Sequence, residues 1–150
     1  MSRLLFPCLR PVLMLAAAAS LALSPCAHAY VDDAHSMTME MATPYVEKGF
    51  KVRQDYWKGE IKSGATKSVK AQLFKGNEYW FWLGHDADKA ELTLKVLDQK
   101  GQPVEVEFKK GNCAVGVRVL PPKTGSYTFV FSATLPDESK CNWALAYAYR

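Results

Sequence analysis

The chain has 150 residues, of which 49% are hydrophobic and 12% aromatic, with 19 Lys/Arg against 15 Asp/Glu for a formal charge of +4. Arg3 and Arg10 fall in the first thirty residues, so the remainder of the chain carries 17 basic against 15 acidic side chains and is close to neutral. A near-neutral remainder has no basic stripe for nucleic acid and no polybasic run for an anionic membrane surface.

Residues 1–29 read as a secretory signal peptide: a positive start, an apolar Val12–Leu23 core and Ala27-His28-Ala29 as a cleavage site. That core is short for a membrane span. The reading places the protein in the periplasm or outside the cell, with no membrane span after signal removal. It leaves about 120 residues, a single-domain length. Cys8 and Cys26 depart with the leader, and Cys113 and Cys141 remain as an even pair in an oxidising compartment. A Cys113–Cys141 disulfide is therefore expected.

Residues 30–43 show no clear apolar period and are expected to form a loose arm. From Pro44, two sets of apolar residues fall at helical spacing: Val46, Phe50 and Trp57, and Tyr45, Val52 and Tyr56. This spacing predicts a helix over 44–57, with a strand around Phe50–Trp57 as the alternative. Strand candidates come next at Glu60–Lys62 and Ser68–Phe74. Lys75-Gly76-Asn77 then leads into Tyr79-Trp80-Phe81-Trp82-Leu83, whose large apolar residues point to both faces and mark a central strand. Alternation continues through Glu91–Asp98, Val104–Phe108, Cys113–Leu120, Ser126–Ala133 and Asn142–Tyr149, with Gly, Pro and Asn at the breaks. Seven or eight short strands so joined predict a mostly β fold, an antiparallel, jelly-roll-like β-sandwich with one short N-terminal helix. Ala144, Ala146 and Ala148 share one face of the last strand and would let a helix approach closely. The segment Tyr45–Trp57 is expected to lie there and bury at least one of Trp80 and Trp82.

At residues 60–149 the order of elements resembles the bacterial pre-peptidase C-terminal domain. The resemblance is carried by KGNEYWFWLG, ELTLKVLDQKGQPV, VRVLPPKTGSYTFVFSA, and a closing strand with Trp143 and Tyr147. Asp86-Ala87-Asp88-Lys89-Ala90-Glu91-Leu92 and Pro122-Lys123-Thr124-Gly125-Ser126-Tyr127 are similar to that family's acidic lead-in and its Gly-x-Tyr hairpin. The Cys113/Cys141 pair lies outside the pattern. The resemblance implies a free-standing copy of a sandwich whose family members mostly bind, target or stabilise, some with calcium.

Few groups invite catalysis. Only His35 and His85 come after the leader, and there is no G-x-S-x-G elbow, H-E-x-x-H, phosphate loop or dinucleotide fingerprint. The reading is a non-enzymatic module with no cofactor. Two metal readings stand beside it. Asp86, Asp88 and Glu91, with His85, form the densest oxygen-rich cluster and would suit calcium, although Lys89 lies among them and acidic turns are usually solvated. His35, Met37, Met39 and Met41 offer soft ligands for copper, although methionine is also an adaptable packing residue. Trp57, Trp80 and Trp82 are ligand-binding candidates if exposed and core if covered. The sequence thus points to an exported module that binds a partner protein or glycan at the cell envelope. The alternatives are a periplasmic metal-binding protein, or an inhibitor or immunity-type protein that plugs an enzyme through the Pro121–Gly125 turn.

Overall fold

A computed structural model describes residues 32–137 and 139–150. The proposed signal peptide lies outside the described residues. Among the described residues, one helix, α1 (Asp33–Val46), precedes nine strands: β1 (Lys51–Val52), β2 (Trp57–Lys62), β3 (Thr66–Leu73), β4 (Tyr79–His85), β5 (Glu91–Leu97), β6 (Glu107–Lys110), β7 (Ala114–Val119), β8 (Gly125–Thr134) and β9 (Lys140–Tyr149). The larger sheet runs β1-β9-β4-β7-β6, with β2 also pairing β9, and the smaller runs β3-β8-β5. All pairings are antiparallel. The fold is the mostly β sandwich with one short helix that strand spacing predicted.

The helix is not where the sequence placed it. Residues 30–43 are not a loose arm, and 44–57 is not a helix: α1 occupies Asp33–Val46, and only the first three residues of the expected segment belong to it. Asp32 is the N-cap, its carboxylate accepting the His35 N–H at 3.1 Å. Ala34, Thr38, Ala42 and Tyr45 then form a buried stripe of small residues ending in one large ring. A search for bulky apolar residues passes over such a stripe. Pro44 sits in the last turn, where its missing N–H leaves only the carbonyl of the exposed Glu40 unpaired. Gly49, at φ +86°, ends the turn beyond the helix, and the chain then enters the sheet through β1.

Alternation along β4 divides the molecule into two apolar layers. Tyr79, Phe81 and Leu83 face the small sheet and join Val69, Leu73, Leu94, Val96, Val117, Phe129, Phe131 and Leu145 in the main core. Phe81 and Phe129 meet across it with ring centroids 3.9 Å apart. On the other face Trp80 and Trp82 stack at 6.4 Å and are sealed by α1, with Ala42, Tyr45, Phe50 and Ala148 in the same layer. The indole of Trp82 fits between small neighbours, facing Gly116 of β7 and Ala146 of β9. Tyr45 lies 4.6 Å from the Trp80 ring and 5.4 Å from that of Trp82. Of the expected cover, Tyr45 and Phe50 pack on the buried tryptophans, but Val46 is 54% exposed and Trp57 takes no part.

The disulfide is a correction. Cys113 and Cys141 are both free thiols. Cys113 immediately precedes β7 and Cys141 lies in β9, with β4 between these strands. Two strand spacings put their backbones about 10 Å apart before any offset along the strands, beyond the reach of a disulfide.

Candidate functional site

The expected sites fare unequally. Trp80 and Trp82 are 5% and 0% exposed and are core. Trp57 is half-buried and stacks on Tyr147 at the edge of the main core. No flat indole platform for a sugar is left among these three.

The acidic cluster is dispersed. His85 is buried at the end of β4, whereas Asp86, Asp88 and Glu91 are exposed. The Asp86 carboxylate is committed to Asn142, accepting its backbone N–H at 2.8 Å and its Nδ2–H at 2.7 Å. It works as a clamp between the β4–β5 loop and β9. Among the described residues, no three His, Cys, Asp or Glu side chains gather into a metal cage.

The methionine group is split by the helix it belongs to. At 100° per residue Met37 and Met41 share one flank of α1, and Met39 falls on the other with His35. His35 stacks on Tyr56 at 3.8 Å, and Met39 and Met41 both pack against the tryptophan layer, from opposite flanks of the helix. The four residues read together from sequence are therefore two separate pairs.

The structure brings together a different surface at the opposite end of the sandwich from His85. The loops after β3, β5 and β7 meet there and are cross-linked. The Lys75 N–H donates to Thr124 Oγ1 at 2.9 Å, and Gln99 Nε2 donates to the Thr124 carbonyl at 3.1 Å. The Tyr127 hydroxyl donates to the Lys123 carbonyl at 2.7 Å. The Tyr79 hydroxyl oxygen accepts from the Phe74 N–H and from Asn77 Nδ2. Asp98 Oδ1 accepts from the backbone N–H groups of Lys100 and Gln102, closing a turn in which Gly101 takes φ +76°.

On this braced frame Phe74 and Leu120 are 53% and 58% exposed, two of the four large hydrophobic residues left most open to solvent. Lys75, Lys100 and Lys123 are exposed around them. A 440 Å³ hollow opens between Lys75, Asn77, Leu120, Pro121 and Arg150. Its floor is held by Glu78, whose Oε1 accepts from Arg118 Nε at 2.6 Å and whose Oε2 accepts from Arg150 Nε at 2.7 Å. Burial alone would raise the Glu78 carboxyl, but the two guanidinium hydrogen bonds outweigh it and hold the group below its usual range.

Phe74 and Leu120 went unnoticed in the sequence because each closes an alternating strand. Their signal is positional: each lies one residue beyond the last buried position of its strand, Leu73 and Val119.

No protein-family model and no curated protein matches the chain. Among solved structures, the crystal structure of Bacillus licheniformis lipase BlEst2 in its propeptide form is similar to it. Identity is 11% and the TM-score 0.41, over 76% of this chain and 27% of that one. This chain thus spans well under half of that protein's length.

Proposed function

We propose that this is an exported, non-catalytic module that binds a partner protein through the braced loop end around Phe74 and Leu120. The observation that carries the reading is the pairing of two exposed large apolar residues with loops already fixed by side-chain hydrogen bonds. A surface ordered before contact avoids the entropy of ordering it on binding. The lysines around it suit a partner with an acidic rim and apolar knobs. A protein is favoured over a glycan because the candidate tryptophans are buried or edge-packed. The resemblance to the pre-peptidase C-terminal domain, a family of mostly binding and targeting modules, agrees with this role.

The test is capture of a cell-envelope protein by the immobilised domain, compared with Phe74→Asp and Leu120→Asp. Both variants should lose the partner while keeping the parental melting temperature. Undiminished capture by both would sink the reading.

A second reading is favoured by the turn itself. Pro122, Lys123 and Thr124 are exposed between buried Pro121 and Gly125 and are held from three sides. A rigid protruding tripeptide is what an inhibitor inserts into an enzyme's cleft. If the captured partner is an enzyme, its activity should fall with bound domain, and Lys123→Glu should relieve the inhibition.

A further inference from the structure

β6 closes one edge of the larger sheet, and all four of its residues, Glu107–Lys110, are exposed. α1 rests chiefly on β4 and β9, and β5 reaches as far as β7, so β6 projects past the layers that cover the sheet on either side. Phe108 pairs in register with the buried Val117 and so faces the core side, yet it is 59% exposed. We propose that this edge pairs antiparallel with β6 of a second copy of the chain, joining the two larger sheets about a two-fold axis at Phe108.

The backbone sets which registers are open to it. The Gly111 N–H donates to the Ala114 carbonyl of β7. Alternate residues of an antiparallel strand turn their N–H and C=O to opposite neighbours. Glu107 and Lys109 therefore turn theirs to β7, and Phe108 and Lys110 turn theirs outward, where no strand lies among the described residues. Two such edges can form a ladder only when outward-turned residues meet. The symmetric registers over this strand are thus centred on Glu107, Phe108 or Lys109.

Charge selects among the three. Centring on Glu107 or Lys109 sets that residue against its own copy, and like charges directly opposite are unfavourable. Centring on Phe108 lets the two phenylalanines exchange both backbone hydrogen bonds and sets Glu107 against Lys109 of the second copy, twice. Those flanking positions are the non-hydrogen-bonded pairs, whose side chains approach more closely. Glu107 accepts from Arg118 Nη1 at 3.1 Å, so its carboxylate would lie between that guanidinium and the lysine of the second copy. The Lys109 ammonium, now over the Tyr45 ring at 5.2 Å, turns from that ring to the carboxylate across the axis. Lysines on a short edge strand usually keep it single. Here the edge carries its own complementary charges in the order that a two-fold axis requires, with an open phenyl ring between them.

The test is sedimentation equilibrium of the purified protein, which should show a reversible monomer–dimer equilibrium in the micromolar-to-millimolar range, because four residues per copy make a small interface. Phe108→Asp should leave only monomer. Glu107→Lys and Lys109→Glu should each raise the dissociation constant about tenfold or more, since each sets like charges opposite one another at two places. Mixed in equal amounts, these two variants should dimerise with one another as the parent does with itself, because the lysines of one then face the glutamates of the other. Circular dichroism and melting temperatures of the separate variants check that each is folded. A parent that stays monomeric throughout that range overturns the proposal. So does a dimer that survives Phe108→Asp, as one formed through Phe74 and Leu120 would, a charge variant that dimerises alone as tightly as the parent, or a failure of the two folded charge variants to pair when mixed.

Discussion

The backbone of Gly84 lies directly beneath that of Ala34: a Cβ on Gly84 would come within 2.6 Å of the Ala34 carbonyl oxygen and 2.9 Å of Thr38 Cγ2. The helix thus rests on β4 at a point where only hydrogen fits. Because the obstacle is backbone, it cannot swing aside as a flexible side chain would. Gly84→Ala should push α1 away from the sheet and cost about 1–3 kcal/mol, the usual range for overpacking. Denaturant unfolding would measure the loss, and a red shift of tryptophan emission would report water reaching the layer below. Unchanged stability and emission would mean the helix is not seated as described.

The layer under that helix carries the second prediction. Trp80→Ala and Trp82→Ala should each cost about 3–5 kcal/mol, as large core truncations do. Trp82→Phe should be milder than its lost volume implies. The buried Trp82 Nε1 has no hydrogen-bond partner among the described residues, so removing it also removes an unsatisfied donor. Calorimetry on the three variants checks the order. A Trp80→Ala protein that melts normally would return this face to the list of binding surfaces.

Strand positions were legible because each strand packs one face on the core and the alternation survives in the letters; Tyr127, Phe129 and Phe131 are an example. The helix was hard to read because its buried stripe is Ala34, Thr38, Ala42 and Tyr45, three small residues whose role is close approach to Ala148 and Gly84. Hydrophobic periodicity weights size and so found Val46 and Phe50 instead. The need for a cover over Trp80 and Trp82 was visible, because β4 is apolar on both faces. The candidate site was less legible. Phe74 and Leu120 matter only because three loops distant in sequence are tied together beside them, and the thiols looked paired until β4 was seen to run between their strands.

The thiols give the third prediction. Cys141 is buried, and its thiol is pushed up by burial and then by the nearby Asp86 charge, so little thiolate forms. Cys113 is half-buried at a turn. Titration of native protein with a thiol-disulfide reagent should label Cys113 readily and Cys141 only on unfolding. Cys113→Ser and Cys141→Ser should each leave stability far closer to the parent than the roughly 2–5 kcal/mol lost when a native disulfide is removed. Protein purified without reductant and showing no titratable thiol would contradict the free pair.

The last prediction concerns pH. His85 is 2% exposed, and its Nδ1 has no partner among the described residues. Burial lowers its pKa from the ordinary 6.5, against weaker opposition from the Ala87 backbone and the Asp86 charge. A group depressed in the folded state binds its proton more readily when unfolded. The stability it contributes is therefore complete above 6.5 and falls as the pH drops through that value towards the folded pKa. Glu78 acts in a separate, more acidic window. Its carboxyl is held below 4.5, so the stability from its two arginine partners persists above that value and is lost as the pH falls through the folded pKa. Melting temperatures should thus decline in two steps on acidification. His85→Gln should flatten the step between pH 7 and 5 and leave the more acidic one. Glu78→Gln should do the reverse, while costing about 1.5–2 kcal/mol at neutral pH, the lower part of the range for hydrogen bonds to charged groups because both arginines are partly solvated. A parental slope between pH 7 and 5 in His85→Gln would show that the buried imidazole does not set that step.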